Sequence, residues 1–499
     1  MEKSIIEKTT ITLPSSFKEV LKTINNNKLG IVFVIDSNGR LIGSITDGDI
    51  RRAIIQGIKL EEDIKINSSA VNPNPTSLPF ESDIQEILNC LDQKHVPYTS
   101  HIRCVPLLDS KGKIIDISTR SRVRQFPISQ PGIGTQELNN VIDCVKTAWI
   151  SSKGTYITKF EKLFKNYLKN GYPVAVSSGT TALQLGLITL GVGPGDEVIV
   201  PNFTFGASIN SIIHSGAKPV LVDVDKETWT LDLEKIEKSI TSSTKAIMPV
   251  HIYGQPCRID EIVDIAKKKD LLIVEDCAEA IGAKYKNRLV GGDGDCSCFS
   301  FYANKTITTG EGGMVVFKNL EAANKARVLR DHGMSKSKSY WHEEAGFNFR
   351  MTNMQAAIGV AQMERIEELL KYRKKIFDNY NEKFKKIKNI SLLPHNNWSN
   401  NSFWLYTIVV NNIGQKKRDK LLIKLKDRGI ECRPSFYPLN TMKPYKKFAK
   451  GNFEVSEYLG TNSISLPSSS LLTNNEQNYI ADIFLEELNK INTSFKVSA

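Results

Sequence analysis

Lys305 lies in FSFYANKTITTGEGGMVVF, a loop between an apolar run and a glycine-rich turn. Most lysines stay on the surface. A lysine flanked by apolar strands and glycines is expected to be buried, and burial lowers the amine pKa and makes it a nucleophile toward an aldehyde. The run LLIVEDC ends in Glu275-Asp276, which puts an acid at the carboxyl end of a strand, where open α/β sheets bind ligands. In YPVAVSSGTTALQLGLITLG a strand gives way at Ser177-Ser178-Gly179-Thr180 to helical spacing of Leu183, Leu187 and Leu190. A helix that starts there offers free amides and hydroxyls to an anion. Taken singly, each feature has a structural explanation, since Ser and Thr cap helices everywhere and a strand-end acid can cap the next turn. Together they form a set: an amine for an aldehyde, an acid for a pyridinium nitrogen and a helix start for a phosphate. That set matches pyridoxal 5'-phosphate.

Such residues need a scaffold that brings strand ends together. Apolar runs VAVSS, EVIVP, KPVLVDV, KAIMPVHIYG and LLIVEDC alternate with helical periodicity across residues 174 to 277. This predicts an α/β domain with a mainly parallel sheet covered by helices. Beyond Arg365 a long lysine-rich helix, the strand-like FWLYTIVV and a helix near Glu476 to Ile491 predict a smaller C-terminal α+β subdomain. The expected division is 1–125, 126–365 and 366–499, with the basic, proline-bearing RSRVRQFPISQPGIG between Arg120 and Gly134 as a linker.

The first 125 residues contain a repeat, VIDSNGRLIGSITDGDI from Val34 returning as LLDSKGKIIDISTRSRV from Leu107. Each copy follows an amphipathic helix and turns at Asn38-Gly39 or Lys111-Gly112. This resembles a tandem pair of CBS motifs, an α+β regulatory module whose cleft holds an adenine nucleotide in many relatives. The resemblance implies that Thr46 and Asp49 take ribose hydroxyls, while the second copy keeps Thr119 but has Arg122 in place of the acid. A guanidinium only donates, so one ordinary ribose site at most is expected. A module serving only packing or dimerisation is the other reading.

Residues 126 to 499 resemble the DegT/DnrJ/EryC1/StrS sugar aminotransferases, which are fold-type I enzymes. The resemblance rests on WISSKGTYITKFE, SSGTTALQLGL, PNFTFGAS, VEDCAEAIGA, FSFYANKTITTGEGGM and GFNFRMTNMQAAIG. FYANKTITTGEGG, RDHGMSKSKSYWH and RPSFYPL are most similar to the branch that converts GDP-4-keto-6-deoxymannose into GDP-perosamine by amination at C4. The resemblance implies a Schiff base between Lys305 and pyridoxal 5'-phosphate, with Asp276 holding the pyridine nitrogen protonated. It places Gly179, Thr180 and Ser300 at the phosphate and Phe205 on the ring face, although Phe205 also reads as an ordinary core residue. Glu279 stands where many relatives carry His or Gln near the 3'-hydroxyl. Asn348, locally a turn asparagine, matches a residue that relatives lend to the partner subunit's phosphate site, which implies a homodimer or larger homo-oligomer. His332, Tyr340, Arg433 and Tyr437 are the implied nucleotide-sugar contacts, and L-glutamate is the implied amine donor. Asn440 and Gln255 depart from the histidines common in relatives. A UDP-linked 4-keto sugar is the alternative acceptor. The dehydratase branch replaces the lysine with His, so Lys305 argues against it, and a nucleotide-responsive regulator without turnover is the reading from another class.

Composition bounds these readings. Among 499 residues, 40% are hydrophobic and no run approaches the roughly 20 apolar residues of a membrane helix. The start, MEKSIIEKTTITLP, carries acids where an export signal carries bases, so a cytoplasmic location is expected. Eight scattered cysteines without a CxxC pair predict neither a disulfide framework nor a zinc site. The net charge of +12 comes from lysines interspersed with acids, as in EKLFKNYLKN, and is read as solvated helix faces rather than a nucleic-acid surface.

Overall fold

The repeat near the N-terminus becomes two hairpins of the same construction. In the computed structural model, which describes residues 5–82, 84–92, 102–119 and 126–494, strand Ile31–Ile35 pairs antiparallel with Leu41–Thr46, and Cys104–Leu108 with Ile114–Thr119. In each turn an aspartate carboxylate accepts two backbone N–H groups, Asp36 from Asn38 and Arg40 and Asp109 from Lys111 and Lys113. Each turn then needs a residue at positive φ, which Gly39 (80°) and Gly112 (77°) supply without steric cost. The two hairpins also pair with each other, Leu41 N–H donating to the Gly112 carbonyl at 3.0 Å. Helix Phe17–Asn27 lays Phe17, Val20 and Ile24 against Val32, Val34 and Ile45, the core of this unit. Arg122 of the second copy lies outside the described residues. Chain contacts divide the protein into this unit, 1–126 with 427–429, and a second of 127–426 with 430–499.

In the second unit seven strands form one sheet: β1 (Tyr172–Val176), β2 (Glu197–Pro201), β3 (Lys218–Val222), β4 (Thr244–Ile247), β5 (Leu272–Asp276), β6 (Cys296–Ser300) and β7 (Gly313–Phe317). Their order is β3-β2-β4-β5-β6-β7-β1, parallel except that β7 runs antiparallel to both neighbours. Helices cover both faces, so the strands read as continuous apolar runs rather than alternating ones. Val198 and Val200 point into one core with Leu183 and Leu187, while Ile199 between them joins Val222, Ile247 and Ile273 on the other face.

Helix α1 (Gly179–Thr189) follows β1 directly and α2 (Gly206–His214) follows β2. The lysine-rich segment is α3 (Ile366–Phe384), whose buried face carries Ile366, Leu369, Arg373, Ile376, Phe377 and Tyr380. A second, antiparallel sheet of β8 (Ile390–Ser391), β9 (Tyr406–Val410), β10 (Arg433–Pro434) and β11 (Ser463–Leu466) has the order β8-β9-β11-β10.

Candidate active site

The carboxyl ends of β5 and β6 bring the predicted groups together. Strand alternation turns the two acids of β5 to opposite faces. Glu275 accepts from the backbone N–H groups of Gly291, Asp293 and Gly294 and from the Ser297 hydroxyl, so it fastens the turn before β6. It also faces His251 Nε2 at 3.1 Å. The Cys257 N–H donates to His251 Nδ1, which leaves Nε2 carrying the hydrogen. His251, Glu275 and Cys277 are near enough for a metal, yet the nitrogen facing the pair has no free lone pair. Asp276 turns the other way. The Ser208 hydroxyl of α2 donates to its Oδ2 at 2.8 Å and the Ala278 N–H to its Oδ1 at 3.1 Å. Burial pushes the Asp276 carboxyl above its ordinary range, against the pull of these donors and of Lys305.

Lys305 reaches the same place from the loop after β6. Its Nζ stands 3.8 Å above the centre of the Trp404 ring and 4.0 Å from Glu279 Oε1. Burial lowers the Lys305 amine pKa, Glu279 and Asp276 oppose that shift, and the Arg373 cation adds to it. Burial likewise pushes Glu279 up to about 7, although the Lys305 charge and the Tyr253 N–H favour its anion. Tyr253 donates that N–H to Glu279 Oε2 at 2.6 Å from a left-handed backbone, φ 50°, a conformation that costs a tyrosine energy and recurs at functional sites. Its ring stacks on Phe436 at 5.2 Å and on Trp404 at 5.8 Å.

The third element is the start of α1. Ser178 and Thr181 form a reciprocal cap, the Thr181 N–H donating to Ser178 Oγ at 3.1 Å and the Ser178 N–H to Thr181 Oγ1 at 3.0 Å. That leaves the Thr180 hydroxyl without a hydrogen bond among the described residues. Gly179 abuts Ser300 at the end of β6, and a Cβ on Gly179 would stand only 2.7 Å from Ser300 Cβ. Phe205 precedes α2 and is 60% exposed, which overturns the core reading, and its ring leans on Phe436 at 5.7 Å. The remaining predicted residues make their bonds elsewhere. Asn348, exposed, accepts from Arg350 Nε, and Arg433 pairs with Glu431. Tyr340 is fully out in solvent, and the His332 N–H donates to the Phe347 carbonyl. The Tyr437 hydroxyl accepts from the buried Arg418. Gln255 is buried against Ser399, and Asn440 bonds Asn202 and Glu457. Ser208, Tyr253, Trp404 and Arg373 were not foreseen. Only Arg373 left a trace, as a charge on the apolar spacing of α3.

The sequence profile of the DegT/DnrJ/EryC1/StrS aminotransferase family matches residues 131–485. The chain belongs to that family. A CBS domain profile matches residues 1–56, which take in the first copy of the repeat. The chain is 44% identical over 354 residues to the GDP-perosamine synthase of Caulobacter vibrioides, covering 71% of this chain and 95% of that protein. To the GDP-perosamine synthase of Escherichia coli O157:H7 it is 42% identical over 361 residues, 72% and 98% of the two. Spr1654 of Streptococcus pneumoniae, named a sugar aminotransferase and solved in its PMP form, superposes with a TM-score of 0.71 at 32% identity, over 74% of this chain and 100% of that one. The second unit is thus a fold-type I, pyridoxal 5'-phosphate-dependent aminotransferase.

The residues present fit that cofactor. A buried acid with two donors, a buried amine of lowered pKa, a helix start whose first glycine leaves no room for a side chain, and an exposed aromatic face are the donor set that it needs. No helix among the described residues is long and apolar enough to cross a membrane.

In the first unit a cavity of about 940 Å³ is lined by Lys28, Thr46, Asp49, Arg52 and Arg103 among others. Thr46 is the N-cap of helix Asp47–Ile55: the Asp49 N–H donates to its hydroxyl at 3.2 Å while Asp49 Oδ2 accepts from the Thr46 N–H at 2.8 Å. The spacing that suggested a ribose pair therefore also builds a capping box.

Proposed function

We propose that this chain transfers the amino group of L-glutamate to C4 of GDP-4-keto-6-deoxymannose, giving GDP-perosamine. The observation that carries this is similarity to two GDP-perosamine synthases over nearly their whole length. Mass spectrometry of products from a panel of GDP- and UDP-linked 4-keto sugars with glutamate tests it. Product from the UDP sugars alone would move the assignment to the alternative acceptor.

Pyridoxal 5'-phosphate, when bound, supplies an aldehyde to carry the amino group and a ring that draws electrons from the carbon beside it. Asp276, an acid held by Ser208 and Ala278, keeps a proton on the ring nitrogen. Lys305 Nζ takes the proton from the glutamate Cα and, in the second half-reaction, delivers one to C4 of the sugar. The Gly179 amide and the Thr180 and Ser300 hydroxyls would hold the phosphate, and the exposed Phe205 would lie against the ring. Glu279, held by the Tyr253 N–H, would take the place beside the 3'-hydroxyl. His332, Tyr340, Arg433 and Tyr437 receive the nucleotide sugar.

The working form is a homodimer in which Asn348 reaches the partner's phosphate site. Helix Thr135–Lys146 and the residues after it support this, exposing Leu138, Ile142, Val145, Trp149 and Ile150, an apolar face that a second copy would cover. The first unit binds a nucleotide in its cavity, where Lys28 and Arg103 supply positive charge for phosphates beside the Arg52–Asp49 ion pair. All eight cysteines are free, in keeping with a reducing cytoplasm.

A further inference from the structure

Arg373 is an unusual buried cation. Only 2% of it is exposed, and among the described residues no carboxylate pairs with it. Its guanidinium donates to neutral oxygens: Nη1 to the carbonyls of Trp404 (2.6 Å) and Ser468 (3.5 Å), Nη2 to the carbonyl of Lys305 (3.2 Å) and to Ser129 Oγ (3.4 Å). Among the described residues its Nε has no hydrogen-bond partner. A buried charge without a counter-ion is costly, and a leucine or methionine on the same face of α3 would pack without that cost.

The bonds converge on the lysine loop. Arg373 joins the main chain of Lys305 to that of Trp404, the residue whose ring lies under Lys305 Nζ. The preceding carbonyl, of Asn304, is held by Trp404 Nε1 at 2.9 Å and by Ser129 Oγ at 3.2 Å. We infer that Arg373 is a positioning residue for Lys305, clamping the lysine loop to the Trp404 platform and so fixing where the amine is presented to the cofactor. The charge acts in the same direction as the clamp, since a cation nearby disfavours a second one on Lys305, against the opposing anions Glu279 and Asp276. A planar fork suits the task because it bonds two carbonyls at once, which an ammonium cannot do with fixed geometry.

The proposal rests on Lys305 being the amine that captures the cofactor. Its test is the rate at which unloaded protein, mixed with pyridoxal 5'-phosphate, develops visible absorbance across a pH series. With Arg373→Met the midpoint of that pH profile is expected to move up by about one unit. With Arg373→Lys the midpoint stays near wild type, while the plateau rate falls about tenfold because the fork is lost. An unchanged or lowered midpoint in Arg373→Met overturns the proposal, as does a wild-type plateau in Arg373→Lys. Should neither variant show a cooperative melt, the residue belongs to folding alone and the proposal is overturned as well. Lys305→Ala run alongside keeps the two questions apart: a wild-type band in that protein would remove the Lys305 assignment itself.

Discussion

Lys305 Nζ and Glu279 Oε1 lie 4.0 Å apart in a buried site, too far for a hydrogen bond and close enough for the charge of each to set the protonation of the other. Removing the acid removes a charge that opposes the lowering of the Lys305 amine pKa. Glu279→Gln is therefore expected to lower the pH midpoint of cofactor capture, the opposite of the shift expected for Arg373→Met. The stability of unloaded protein gives a second reading. Because the folded pKa is raised from 4.5 to about 7, Glu279 favours folding fully below pH 4.5 and loses that contribution as the pH rises through about 7. Denaturant midpoints at a series of pH values should show Glu279→Gln gaining on wild type over this window. A constant difference would mean that Glu279 ionises at its ordinary pKa.

Lys305→Ala should fold, retain cofactor less tightly and lose more than about 10³-fold in turnover, since both the capturing amine and the proton carrier are gone. Asp276→Asn keeps the lysine and nearly the same shape, but a neutral amide cannot hold a proton on the ring nitrogen. A loss of roughly 10²-fold or more in kcat is expected. The loaded variant's absorbance should change with it. Turnover and spectrum both matching wild type would show that Asp276 serves only the hydrogen bonds to Ser208 and Ala278.

These local groups were readable because short-range context marks them. A lysine between apolar strands and glycines, an acid ending an apolar run and a serine-glycine-threonine stretch opening a helix each announce themselves within ten residues. Strands β1 to β5 of the sheet were readable for the same reason, each being an apolar run between turn residues. Trp404, Tyr253 and Arg373 were not, because nothing near them in sequence says that the segment before β9, the loop after β4 and α3 converge on Lys305. The left-handed backbone that aims the Tyr253 N–H at Glu279 is set by tertiary packing, and a tyrosine gives no sign of it. Phe205 could not be settled by sequence, because an exposed stacking ring and a core ring have the same residue type.

Asn348 offers a test of the subunit arrangement. Among the described residues its side chain accepts from Arg350 alone, and it is exposed. Asn348→Ala should weaken cofactor retention, and mixed with Lys305→Ala it should give more turnover than the two proteins measured separately. In a mixed dimer one site carries both lesions and the other carries neither. Verified mixed dimers without any regained turnover would place Asn348 in the site of its own chain.

Asp49 is bound to two explanations, and a pair of substitutions separates them. Asp49→Ala removes both the acceptor for the Thr46 N–H and the carboxylate facing the cavity, so it should lose nucleotide binding and cost about 1 kcal/mol of stability in the first unit. Asp49→Asn keeps an oxygen that can accept from Thr46 but carries no charge and one acceptor fewer. If the carboxylate takes ribose hydroxyls, calorimetry with adenine and guanine nucleotides should show affinity falling about tenfold in the Asn variant while the melting temperature stays close to wild type. Basal transamination should survive both changes, since the cofactor groups all lie in the second unit. Any response of activity to nucleotide should fade with the binding, because a ligand regulates only as far as it prefers one state of the protein. Heats of mixing indistinguishable from buffer for the wild-type chain would leave Thr46 and Asp49 with the capping box and the Asp49–Arg52 ion pair as their structural roles.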